Sequence, residues 1–334
     1  MSTELWLGGA LVAAFVLYAL FGGADFGGGV WDLLASGPRK AEQRALIAQA
    51  LGPVWEVNHV WLIIGVVILF SAFPKAFAAL SVALHVPLTL LLLGIVFRGT
   101  AFTFRTYDAR GDRVQRRWGL VFSVASILSP ALLGMCVGAL VSGAIQVRGR
   151  VVVSGFFSPW LSPFALAVGV VALCLFAFLA AVYLTAETNE PALQEDFRRR
   201  ALGAGVAVFV AALGVLVLAR GGAPRVWVGL TTSSYALALH GATAVVAVLA
   251  FGLLLTRRFA WARVAAAAQV GLIVAGWAAS QYPYLVVPDL TLQSAAASPV
   301  AQRVLLWALA VGAALIFPSL LLLFRVFRAP PRTS

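Results

Sequence analysis

Apolar residues along this chain fall into nine blocks, at about 5–31, 54–73, 77–103, 119–143, 161–185, 201–219, 234–256, 260–281 and 304–324, separated by short segments that collect the charges. A helix needs about 20 residues to cross a hydrocarbon core. Each block is about that length or longer, so the pattern predicts an all-α integral membrane protein with nine transmembrane helices. The connections are too short for a soluble domain, and 1–334 reads as a single polytopic membrane domain. No internal repeat is evident. The longest outer connection, 282–303, contains Tyr282-Pro283-Tyr284 and Pro288, and its prolines and aromatics predict a packed interfacial segment. Pro87, Pro130 and Pro318 fall inside or near the ends of blocks, where membrane bundles tolerate them.

Composition supports this reading. Hydrophobic residues make up 62% of the 334 and charged residues 11%, against about 25% charged in soluble domains. The first residues, Met1-Ser2-Thr3-Glu4, lack the basic leader and small-residue cleavage site of a secretory signal, so the first block is expected to remain as a membrane helix. The net charge of +12 would suit nucleic acid or an anionic surface, but its distribution points to membrane orientation instead. Taken over nine spans, 17 Lys and Arg fall on one side and 6 on the other, with Arg98 inside a block. By the positive-inside rule the N-terminus is outside and the C-terminus cytoplasmic, and no nucleic-acid partner is implied. Cys136 and Cys174 stand alone in apolar stretches and read as small core residues.

Chemistry in such a chain is carried by the charges that the bilayer should exclude, each costing about 2.5–3.5 kcal/mol at mid-membrane. Asp25 lies among the glycines of Gly22-Gly23-Ala24-Asp25-Phe26-Gly27-Gly28-Gly29, with Asp32 one heptad later. Glu56 opens the second block in Gly52-Pro53-Val54-Trp55-Glu56-Val57-Asn58-His59, and Arg98 closes the third in Phe97-Arg98-Gly99-Thr100. With alternating helix direction, Asp25, Glu56 and Arg98 share the cytoplasmic half of the membrane. Arg98 can neutralise Asp25 or Glu56, leaving the other to exchange protons. For Asp25 and Arg98 a buried pair that fixes helix packing is an equal alternative. Glu56, with Asn58 and His59 beside it, fits a proton path better than packing. The flanking glycines allow another backbone or a water chain to approach. Asp25-Phe26-Gly27 matches a kinase tripeptide by chance, since no nucleotide loop accompanies it. His85 and His240 both fall in the outer half and could in geometry hold a haem, but single histidines bonded within a bundle explain them more simply.

These stretches resemble subunit II of the cytochrome bd-type quinol oxidases. The resemblance rests on Gly23 through Leu33, Gly52 through Ile63 with Phe70 to Pro74, and Phe97-Arg98-Gly99-Thr100-Ala101-Phe102. It extends more loosely to Tyr183-Leu184 with Glu187-Thr188, and to Tyr282 through Thr291 with Ala295-Ala296. It implies nine helices in two four-helix bundles plus one peripheral helix. It also implies a heterodimer in the bacterial cytoplasmic membrane with a haem-bearing subunit I, which carries two b-type haems, one d-type haem and the quinol site. The complex would oxidise quinol, reduce dioxygen to water and take protons from the cytoplasm. This chain would hold no haem of its own and would not be active alone. By resemblance the acid of the Gly-Pro-x-Trp motif, here Glu56, contributes to proton uptake, and Asp25 corresponds to a nearby helix 1 acid. Some relatives add a small single-helix subunit or hold a structural quinone, for which no residue here gives a site. Position 103 departs from the pattern: Thr103 stands where many relatives have Glu, which removes one counter-charge to Arg98 or Arg105. A proton-coupled secondary transporter would also use buried acids and interrupted helices, and a standalone haem cytochrome is a third class. The specific motifs and the missing inverted repeat favour the oxidase.

Overall fold

The computed structural model describes residues 2–51, 55–107, 112–149 and 151–327, with the side chains of 51–57, 105–116, 321 and 323–327 outside the description. Thirteen helices fill most of it: α1 (Thr3–Leu33), α2 (Lys40–Leu51), α3 (Trp55–Ala72), α4 (Pro74–Ala83), α5 (His85–Tyr107), α6 (Asp112–Ser142), α7 (Pro163–Ala186), α8 (Pro191–Gly222), α9 (Pro224–Thr231), α10 (Ala236–Leu255), α11 (Phe259–Gln281), α12 (Leu292–Ala295) and α13 (Pro299–Phe327). Two small antiparallel hairpins, β1 (Val147–Arg148) with β2 (Val151–Val152) and β3 (Tyr284–Val286) with β4 (Leu290–Thr291), complete it.

Among the described residues eight helices are long and apolar enough to cross a membrane: α1, α5, α6, α7, α8, α10, α11 and α13. A ninth is reached if α3 and α4, bent by 117° at their junction, count as one span. The packing assigns that crossing to α3 itself, whose 18 residues reach about 27 Å. Asp32 of α1 bonds Ser123 of α6, and Asp25 shares Arg98 with Ser126, so residue numbers rise along α1 as they fall along α6. The two helices are antiparallel. α5 packs along α6 after a connection of four residues, so α5 runs with α1. Two helices running in the same direction need one reversed crossing between them, and α3 supplies it.

The third apolar block therefore differs from the single helix expected over 77–103. The chain divides at Leu84, and the spanning helix starts at His85. α4 instead lies across the end of α3. It buries Ala76, Ala79, Leu80 and Ala83 at helical spacing, while Lys75 donates to the carbonyl oxygen of Ser294 at 2.9 Å. Hydropathy cannot separate a capping helix that is as apolar as a span. The segment 282–298 is packed as expected. Val286 and Ala295 are fully buried, the Val147 N–H donates to Asp289 at 2.6 Å, and the Ala297 N–H donates to the carbonyl of Ala72 at 2.8 Å.

α1 is the centre of the bundle and touches α3, α6, α7, α11 and α13. Its glycines explain the approach of α7. A Cβ on Gly27 would lie 2.0 Å from the carbonyl oxygen of Phe176, so any side chain there would drive the two backbones apart. One turn further, the Trp31 indole N–H donates to the carbonyl of Ala177 at 2.8 Å. The outer faces of α10 and α13 stay apolar and exposed, as at Leu237, Val248 and Trp307, which suits contact with lipid rather than water.

Candidate functional site

One charged pair lies at the heart of the bundle. Asp25 and Arg98 are each 2% exposed. Arg98 Nη1 donates to Asp25 Oδ2 at 2.6 Å and Nη2 to Oδ1 at 2.5 Å, a bidentate arrangement, and Nη2 also reaches the Asp25 carbonyl oxygen at 3.0 Å. Nε donates to Ser126 Oγ at 2.9 Å, and that hydroxyl in turn donates to the carbonyl of Phe122 at 2.7 Å. Four of the five guanidinium N–H donors are thereby used. The guanidinium also sits 5.0 Å from the ring centroids of both Phe26 and Phe122, a cation–π sandwich that a planar, weakly hydrated group fills well. Of the two carboxylates that Arg98 could neutralise, the structure pairs it with Asp25.

Phe26 links this pair to α3. The His59 ring lies 6.2 Å from the ring of Phe26 on one side and 6.2 Å from that of Tyr18 on the other. Asn58, next to it, is 4% exposed. Asp25, Arg98 and His59 are thus gathered from α1, α3 and α5 around one phenylalanine. Glu56 falls in the first turn of α3, and its side chain lies outside the described residues. Thr103 is exposed and its hydroxyl donates back to the carbonyl of Gly99 at 3.1 Å, so it takes no part in this group.

A second set of charges closes the end of the bundle where α2 lies. Asp32 is 1% exposed, accepts from Ser123 Oγ at 3.2 Å and has the Arg44 guanidinium 3.8 Å away, while Arg44 donates twice to its carbonyl oxygen. Arg39 binds Asp196 of α8 through two bonds of 2.9 and 2.6 Å, and this partner holds the Arg39 guanidinium above its ordinary pKa. Buried Gln43 donates to Asp196 at 2.9 Å and accepts from Arg200 at 2.7 Å, and Arg200 lies over the rings of Trp31 and Phe197. α2 is therefore clamped between the ends of α1 and α8.

The remaining histidines do not meet. His85 is exposed, its Nδ1 is 2.8 Å from the carbonyl of Val82 and its ring stands edge-on to Phe156, while His240 is exposed on α10. Among the described residues no three of His, Cys, Asp and Glu come together as a metal site, and both cysteines are free.

Sequence reasoning missed Ser123, Ser126, Arg44 and Tyr18. The serines carried a readable signal: Ser123, Ser126 and Ser129, all buried, recur every three residues on α6, which puts them on one face. Tyr18 likewise stands one heptad before Asp25, as Asp32 stands one heptad after it, and all three are at most 2% exposed.

Residues 3–327 match the family described as cytochrome bd terminal oxidase subunit II. The cytochrome bd ubiquinol oxidase subunit 2 of Bacillus subtilis is 29% identical over 218 residues, 64% of this chain and 62% of that protein. The cytochrome bd-I ubiquinol oxidase subunit 2 of Escherichia coli is 28% identical over 174 residues, 51% of this chain and 45% of that protein. The chain thus spans between about half and three-fifths of the length of these two relatives. A putative cytochrome bd menaquinol oxidase subunit II of Bacillus subtilis aligns over 99% of this chain and 98% of its own length at 24% identity. The structure of the bd oxidase from Geobacillus thermodenitrificans contains a chain of the same fold, with a TM-score of 0.83 and 24% identity, covering 98% of this chain and 99% of that one.

Proposed function

The chain belongs to the cytochrome bd terminal oxidase subunit II family, and on that premise we propose that it is the haem-free subunit of a quinol:dioxygen oxidoreductase in a bacterial cytoplasmic membrane. Its partner is the haem-bearing subunit I, whose haems carry electrons from quinol to dioxygen. Reducing one dioxygen to two waters consumes four electrons and four protons, so two quinols are oxidised and the protons must reach a buried site. This chain contributes to the route from the cytoplasm. Glu56 stands at its mouth, Asn58 and His59 follow on the same helix, and Asp25 with Arg98 lines the adjoining face of α1 and α5. The observation that carries this reading is the gathering of Asp25, Arg98 and His59 around Phe26 within an apolar bundle.

Within that group the roles divide. A relay must cycle between protonated and deprotonated forms. Asp25 is locked into two bonds from the Arg98 guanidinium, which also holds Ser126, so its first role is to hold α1, α5 and α6 together. Glu56 and His59 are the groups that exchange protons.

Two measurements test this reading. Affinity purification through a tag on this chain should recover a haem-bearing polypeptide in equal amount, with the absorption of d-type haem. Recovery of the chain without a haem partner would overturn the assignment. Reporter fusions after Arg117, Arg200 and Arg263 should all read cytoplasmic, with the N-terminus outside and the C-terminus inside. Periplasmic signals at two of these positions would refute the orientation, and with it uptake from the cytoplasm at Glu56.

A further inference from the structure

Two buried polar atoms on neighbouring side chains have no hydrogen-bond partner among the described residues: the hydroxyl oxygen of Tyr18 and Nδ1 of His59. Tyr18 is 1% exposed, and its ring meets that of His59 edge-on, with centroids 6.2 Å apart and planes at 85°. A buried hydroxyl without a partner is costly and rare, so two together call for something that satisfies both. The Tyr18 ring lies across Gly22, one turn further along α1: a Cβ on Gly22 would come within 2.9 Å of Cε2 and 3.4 Å of Cζ. The His59 ring lies 6.2 Å from the rings of both Tyr18 and Phe26.

We propose that Tyr18 and His59 jointly hold one water molecule and form the step by which protons pass from the Glu56 entrance into the middle of the bundle. This rests on the proton-uptake reading above. The two side chains suit the task in complementary ways. The imidazole takes a proton on one ring nitrogen and releases one from the other. The phenol hydroxyl accepts a proton on oxygen as it gives up its own. Both return to their neutral forms, and one proton has moved inward for each one that entered. A water between them can donate to either atom and accept from the other, so the order of the relay needs no movement of the backbone. Gly22 is the positioning residue that lets the phenol reach the site.

Tyr18→Phe in the complete oxidase complex is the test, because it removes the hydroxyl and nothing else. No hydrogen bond among the described residues is lost, so haem content and thermal stability should be unchanged or higher. Proton uptake linked to oxygen reduction should slow by on the order of tenfold, with a larger solvent deuterium isotope effect than the unmodified complex shows. A Tyr18→Phe complex with normal haem content, full proton uptake and an unchanged isotope effect would overturn the inference. So would loss of haem or stability, which would show that the hydroxyl holds the structure. Glu56→Gln run in parallel separates the two levels: full turnover in Glu56→Gln removes the uptake route itself, whereas slow Glu56→Gln with fast Tyr18→Phe removes only this step.

Discussion

Arg98→Met is expected to cost about 3–5 kcal/mol, because it leaves the Asp25 carboxylate buried without its counter-charge. Asp25 is 2% exposed and takes two bonds from the guanidinium, and no other cation bonded to it is found among the described residues. Marginal proteins lose most of their folded population at such a cost. The chain should therefore fall to a small fraction of its normal level in the membrane, and the haem spectrum of the complex should fall with it. Adding Asp25→Asn to Arg98→Met removes the stranded charge and should restore much of the lost protein. Asp25→Asn alone should be milder, since Arg98 keeps its bonds to Ser126 and to the carbonyl oxygen of residue 25. Quantitative immunoblots and haem spectra of the two single variants and the double variant give the coupling directly. Normal accumulation of Arg98→Met would show that the pair does not hold α1 to α5.

How far the sequence foresaw this arrangement depends on which force wrote each feature. Lipid solvation imposes apolar length, so the spanning blocks were legible, and α7 begins and ends within two residues of its expected bounds, 161–185. The charges that a bilayer excludes were equally conspicuous, which is why Asp25 and Arg98 could be named before their contact was seen. Elements governed by tertiary packing were not legible. α2 carries too many polar residues to look like a membrane element, yet it is held by Gln43, Leu46 and Ile47, which are buried against its neighbours. α8 starts at Pro191, ten residues before the expected 201, because Leu193 and Phe197 pack inward from a stretch that otherwise reads as a charged loop. The bend between α3 and α4 is hidden by a hydropathy that stays high through it. Tyr18 escaped for a different reason: an aromatic in a membrane helix is ordinary, and only the edge-on contact of its ring with His59 and its buried, unbonded hydroxyl single it out.

The proposed division of labour between Asp25 and Glu56 was half legible. Both are acids inside apolar blocks, and the sequence favours a proton path for Glu56 while leaving Asp25 evenly divided between proton exchange and a buried pair. Asp25 is locked into a guanidinium on α5, while the backbone of Glu56 falls in the first turn of α3.

The most direct test of the account is proton uptake linked to oxygen reduction in an assembled Glu56→Gln complex. Glutamine keeps the size and most of the hydrogen bonding of glutamate but cannot carry the proton. Haem content should be normal, quinol-driven turnover and the linked proton uptake should fall by on the order of a hundredfold, and Glu56→Asp should retain much more of both. A fully assembled Glu56→Gln complex with unimpaired quinol oxidation and proton uptake would contradict the claim that this chain carries protons to the oxygen-reducing site.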